Sequence, residues 1–156
     1  MTDDHRELPQ EAIDILTQSR AYGELCETVR ADNKTMLFDA LAAAGITKVV
    51  VHFDGYGDSG QIEDTAAYAG DADASIPAEL IEIARPRWGE AEADRDSCSL
   101  RDAIEALSYD ALEETHGGWE NNEGAYGDFT FDVATRKITL DYNERYETSE
   151  YTQHIF

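Results

Sequence analysis

GDFTFDVATRKITLDY (residues 127–142) decides the fold. Phe129, Phe131 and Val133 alternate with Thr130 and Asp132, and Ile138, Leu140 and Tyr142 alternate with Thr139 and Asp141. A period of two sends successive side chains to opposite faces, so each run reads as a strand with one buried and one wet face. ATRK (residues 134–137) joins them as a short hairpin loop. One-sided burial is a property of antiparallel sheets; fully parallel sheets are buried on both faces and read as continuous apolar runs.

Upstream, SLRDAIEALSYDALEETHGG (residues 99–118) switches to a helical period, with Leu100, Ile104, Leu107, Ala111 and Leu112 on one stripe. Ser99 stands where a cap belongs, Asp102 holds the reciprocal capping-box position, and Gly117 or Gly118 stops the helix. ITKVVVHF (residues 46–53) is short and β-branched, hence a third strand, with Val49, Val51 and Phe53 on one side and Val50 and His52 on the other. DGYGDSG then reads as a turn, and QIEDTAAYAG (residues 61–70) as its partner strand.

The first 45 residues read as helical. Pro9 suits a first helical position, Gly23 argues against one continuous helix, Asp32 or Asn33 is placed to cap a second one, and Gly45 ends it. Residues 70–98 hold Pro77, Pro86 and the acidic GEAEADRDS. They read as an irregular surface excursion with a short helical or strand piece at residues 79–84. The expected class is α+β, an antiparallel sheet of about four strands with two or three helices packed on one face. A single domain over residues 1–156 is expected. Its parts are N-terminal helices (9–45), strand and hairpin (46–69), excursion (70–98), helix (99–116) and C-terminal hairpin (126–146).

Charge narrows the function classes. Thirty-four Asp and Glu against twelve Lys and Arg leave a formal charge of −22. Phosphate binding needs Lys and Arg to release counterions, so free nucleic acid and anionic membrane are poor partners. A basic protein surface or a cation is favoured; the competing reading is an acidic surface that serves solubility or a salt-rich milieu. Between Lys48 and Arg85 there is no base, only Asp54, Asp58, Glu63, Asp64, Asp71, Asp73, Glu79 and Glu82. No apolar run is long enough to span a bilayer, and MTDDHRELPQ has neither the basic start nor the apolar core of a signal peptide. Cys26 and Cys98 lack metal spacing and read as buried thiols, so a cytoplasmic protein without a cofactor is expected.

The tetrapeptide GDSG (residues 57–60) raises a serine nucleophile at Ser59. A nucleophile needs a base in hydrogen-bond reach, a group orienting that base, and oxyanion donors. His5, His52, His116 and His154 are the available bases, and His52 reads better as a residue of the strand face. Trypsin-like proteases follow GDSG with Gly-Pro, whereas Gln61 and Ile62 stand here; GDSL hydrolases need strand–helix alternation that this chain lacks. A small hydrolase using Ser59, with His52 or His116 and carboxylates assisting, is the weakest reading. Calcium or magnesium would want oxygen ligands on a Gly-rich turn, and Asp54, Asp58, Ser59, Glu63 and Asp64 offer them. The EF-hand spacing fails, with Tyr56 at position three and Thr65 where the bidentate Glu belongs. A second acidic Gly-rich segment, HGGWENNEGAYGDF, repeats the tripeptide Tyr-Gly-Asp at residues 126–128 and supplies Glu120 and Glu123. A looser cation site formed by the two loops is the alternative reading.

FDGYGDSGQIED, HGGWENNEGAYGDFTFDV and ITLDYNERYETSEYTQHIF together resemble segments of a family of small uncharacterised bacterial proteins common on plasmids and phages, especially of α-proteobacteria. The resemblance covers about half the chain and brings no catalytic residues. It implies a mobile-element context. An acidic inhibitor of a basic nucleic-acid-handling host protein, such as a nuclease or CRISPR effector, is then the expected function, with spaced carboxylates imitating DNA phosphates. The expected partner-binding residues are Asp54, Asp58, Glu63, Asp64, Glu120 and Glu123, with Tyr56, Trp119 and Tyr126 as aromatic anchors. For Trp119, packing in the core at the helix-to-strand junction competes with the anchor role.

Overall fold

The computed structural model describes residues 9–156 except Gly57, Asp58 and Asn122. It is α+β. In chain order the elements are α1 (Gln10–Ala43), β1 (Lys48–Tyr56), β2 (Ser59–Ala69), β3 (Ala72–Ala74), β4 (Leu80–Arg85), β5 (Asp94–Ser99), α2 (Leu100–His116), β6 (Ala125–Asp132) and β7 (Lys137–Glu144). Five strands form one antiparallel sheet in the order β3-β2-β1-β6-β7, and β4 pairs with β5 in a separate hairpin.

The alternation read in the sequence sorts the main sheet into two faces. Val49, Val51 and Phe53 of β1 and Phe129 and Phe131 of β6 are fully buried against Leu37, Phe38 and Leu41 of α1 and Leu100, Ile104 and Leu112 of α2. Phe38 meets Phe131 at 6.2 Å between ring centroids. Among the described residues no helix packs on the opposite face. β2 keeps its apolar side inward through a bulge: His52 pairs with Asp64 but Phe53 with Ile62, leaving Glu63 as the extra residue. The irregularity frees a ladder donor, and Tyr109 of α2 takes it, its hydroxyl accepting from the Ile62 N–H at 2.9 Å.

Two expectations are corrected. The N-terminal helices are one helix, continuous through Gly23. The cost of a mid-helix glycine, about 1 kcal/mol relative to alanine, is small beside the packing of the flanking turns. Tyr22 packs on Trp88 at 5.3 Å, and Val29, Leu37, Phe38 and Leu41 are buried. Asn33 caps nothing. It is buried mid-helix and makes a two-way hydrogen bond with β4: its Nδ2 donates to the Ala84 carbonyl at 2.9 Å and its Oδ1 accepts from the Ala84 N–H at 2.7 Å. The helix thereby serves as a strand neighbour to β4. The second correction is the irregular excursion at residues 70–98: the piece expected at 79–84 is strand β4, but it belongs to the β4–β5 hairpin and β3 precedes it, the proline-bearing stretches lying between those strands.

Other local expectations hold. Ser99 caps α2, its Oγ accepting from the Asp102 N–H at 3.1 Å. Gly45, at φ 76°, follows the end of α1 in the left-handed conformation that suits glycine. Beyond the core, the first turns of α1 expose Ile13, Ile15 and Leu16, and residues 145–156 have no regular secondary structure.

Candidate functional site

The two glycine-rich segments meet. β1 and β6 are neighbours, with Asp54 opposite Tyr126 and Gly55 opposite Ala125, so the β1–β2 turn and the loop after α2 share one end of the sheet. Trp119 is the reason for the glycines. Gly55 and Gly60 face each other across β1 and β2, and a Cβ on either would come within 2.7 Å or less of the indole. Gly124, at φ 79°, abuts the Gly55 carbonyl with no room for a side chain. Trp119 is 5% exposed and meets Phe53 edge-on at 5.4 Å, so it takes the core-packing alternative and is not a surface anchor. Tyr56 at 74% and Tyr126 at 40% exposure remain on the surface. Tyr126-Gly127-Asp128 lies within β6 rather than in a loop.

Arg145 closes this end. It donates to the Gly55 carbonyl at 2.7 Å and to Asp54 Oδ1 at 2.9 Å, and its guanidinium lies 4.7 Å from the Tyr126 ring. Asp54 is therefore neutralised within the chain. Glu63 is the exposed bulge residue and accepts from Gln61 at 3.2 Å. Glu120 and Glu123 are half-buried in the loop. Beside the loop lies a cleft of about 310 Å3 lined by His116, Glu123, Tyr142 and Arg145, where the His116 ring stacks on Tyr142 at 3.7 Å. Burial first, then the negative charges of Glu144 and Glu120, push the Tyr142 phenol above its ordinary pKa. Asp58 lies outside the described residues, as does His5.

The open face carries a row of titratable residues of which Asp64 alone was expected as a binding residue. The register sets Asp64, His52, Asp128 and Asp141 side by side in one rung across β2, β1, β6 and β7. His52 Nδ1 lies 3.0 Å from Asp128 Oδ1. Asp128 and Asp141 stand directly opposite each other, and like charges so placed destabilise a sheet. The next rung is Ala66, Val50, Thr130 and Thr139, and the last is Tyr68, Lys48, Asp132 and Lys137, where bases and acids alternate. Asp141 was legible as a wet-face residue from the alternation, and Asp128 extends the Thr130–Asp132 series by one step. What the sequence lacks is the register that puts them in line with His52 and Asp64.

Ser59 has no such setting. Its hydroxyl donates to the Tyr56 carbonyl at 3.4 Å. His52 lies four residues back from Tyr56, about 13 Å along an extended strand, and is engaged with Asp128. Among the described residues no group of three or more His, Cys, Asp or Glu is arranged to hold a metal ion. Cys26 and Cys98 are free thiols, and no helix among the described residues is long and apolar enough to cross a membrane.

No curated protein and no solved structure matches this chain. A family model matches from residue 29 to residue 156, beginning at Val29, the first buried residue of α1, and leaving the exposed first turns outside. By that match, which takes in the whole sheet, both loops and α2, the chain belongs to a family of unknown function, DUF6878.

Proposed function

We propose that this chain is a non-enzymatic acidic binding protein that docks its open sheet face and the adjoining turn onto the basic surface of a nucleic-acid-handling protein, as an inhibitor of the anti-CRISPR or antirestriction type carried by bacterial mobile elements would. One observation carries the reading: the rung Asp64–His52–Asp128–Asp141, in which two carboxylates oppose each other directly on a face that no helix among the described residues covers. A sequence under selection for stability alone has no reason to keep that pair; local violations of this kind mark functional surfaces. A rigid sheet holds the carboxylates at fixed spacing, so little side-chain order is lost when a basic groove closes on them. Exposed Tyr56 and Tyr126 flank the acidic rung and supply apolar contact. The formal charge of −22 steers a basic partner toward the molecule and disfavours nucleic acid itself.

The test is capture of host proteins on immobilised chain across a salt series, with duplex DNA as competitor. A basic nucleic-acid-binding protein should be retained at low salt and released by salt and by DNA. The Asp64→Lys/Asp128→Lys variant should lose it while remaining folded by circular dichroism. Retention that neither salt, DNA nor the double reversal changes would eliminate the reading.

A further inference from the structure

The two edges of the main sheet differ. One ends in β3, three residues long, beside a bulged β2. Short edge strands and bulges are the devices by which monomeric proteins block edge-to-edge pairing. The other edge is β7, eight residues in unbroken register with β6, with no proline and no bulge. Among the described residues nothing pairs with its outer side. The Arg145 N–H donates to the Gly124 carbonyl at 3.0 Å, so odd-numbered residues of this ladder bond inward to β6. Ile138, Leu140 and Tyr142 therefore direct their N–H and C=O groups outward. The same three side chains sit on the core face but are only half-buried, and Ile138 and Leu140 border a groove of about 850 Å3 between α1, α2 and the sheet. An unblocked edge coincides with an apolar strip that its own chain leaves half covered.

The geometry points to β7 as a dimerisation edge, pairing antiparallel with β7 of a second copy about a two-fold axis at Leu140. The self-complementary register selects this occupant. Centred on Leu140, Ile138 faces Tyr142 of the other copy twice and Leu140 faces itself, so three of the four outward-bonding residues find partners within β7, Glu144 alone reaching past it. On the wet face Thr139 meets Asp141 and Lys137 meets Asn143. At the ends Arg136, already bonded to Asp39, comes opposite Glu144. Centring on Asp141 would oppose two carboxylates on the axis, and centring on Thr139 would leave Tyr142 beyond the paired strand. The two open faces become one continuous surface.

Net charge opposes this association, and salt screens that opposition over a Debye length of about 8 Å at physiological ionic strength. Dimerisation should therefore strengthen as salt rises, the reverse of docking on a basic partner. Sedimentation velocity from about 1 µM to about 0.1 mM chain, at low and high salt, should show a species of twice the 17.4 kDa chain mass that grows with salt. Thr139→Asp sets carboxylates opposite Asp141 on both sides of the axis and should return the protein to monomer with its melting temperature little changed. Adding Asp141→Lys converts each clash into an opposite-charge pair and should restore the dimer. A monomer throughout for the native chain, or a dimer that Thr139→Asp leaves intact, overturns the inference; so does failure of the second change to rescue the first.

Discussion

Replacing Asn33 by leucine should destabilise the protein by about 2–4 kcal/mol, more than replacing it by alanine. The Asn33 carboxamide is 8% exposed and satisfies both backbone groups of Ala84, itself 5% exposed, at 2.9 and 2.7 Å. Leucine has a similar branched shape but neither donor nor acceptor. It strands one buried N–H and one buried C=O, each costing about 1–2 kcal/mol, toward the lower end for a stranded group, when no water replaces the partner. Alanine opens space beside the 850 Å3 groove that Asn33 lines, and water entering there can restore part of the bonding, so its cost should be nearer 1–2 kcal/mol by the same reckoning. For a domain of this size each kcal/mol moves the midpoint by about 2–4 °C, so Asn33→Leu should lower Tm by roughly 5–15 °C. Urea denaturation followed by far-UV circular dichroism gives the free energies, and hydrogen exchange at Ala84 shows where the protection is lost. A leucine variant within about 0.5 kcal/mol of the parent, or one more stable than the alanine variant, would refute the account of α1 as a hydrogen-bonding neighbour of β4.

Four further outcomes follow from the geometry. Gly60→Ala forces a methyl to within 2.6 Å of the Trp119 ring and should cost about 1–3 kcal/mol, with a shift in tryptophan fluorescence from a displaced indole. Thr65→Val removes a buried hydroxyl that has no partner among the described residues and keeps the β-branched shape; it should stabilise by about 1 kcal/mol in the same urea assay. Asp141→Asn relieves the carboxylate pair with Asp128 and should raise stability by about 0.2–1 kcal/mol while weakening capture of the basic partner; reduced stability would remove the argument built on that rung. The Tyr142 phenol is held above its ordinary pKa in the folded state, so its stabilising contribution is complete below the unfolded value, about 10, and is lost as pH rises through the raised folded value. Tyr142→Phe should therefore flatten the alkaline decline in Tm, and a slope unchanged between the two proteins would contradict it.

The elements whose residues carry a strong period were readable from the chain. β6, β7, β1 and α2 fall where alternation or the helical stripe placed them, because period and burial face are properties of a short run. The N-terminal half was harder. Gly23 and Asn33 are local signals for a break and a cap, but tertiary packing outweighs a propensity of about 1 kcal/mol. The β4–β5 hairpin was obscured because β5, Asp94–Ser99, is almost entirely polar. At the candidate site, Tyr56 and Tyr126, expected as anchors, are exposed, and the meeting of the two Gly-rich segments came from strand order alone. Trp119 reads the same in sequence whether it anchors a partner or fills a core. Only the glycines opposite it decide, and they lie about sixty residues upstream.

By itself the sequence determined the α+β class, the inward and outward residues of the main strands, and a formal charge of −22. Those follow from local periodicity and from composition, which need no contact between distant residues. Tertiary structure decided which carboxylates stand together. Asp54 is consumed by Arg145, ninety-one positions away, whereas Asp64, His52, Asp128 and Asp141 are drawn from four strands into one rung. Register is a long-range property, set by the bulge at Glu63 and by the order of strands in the sheet, and shifting a strand by one residue would send its acids to the other face.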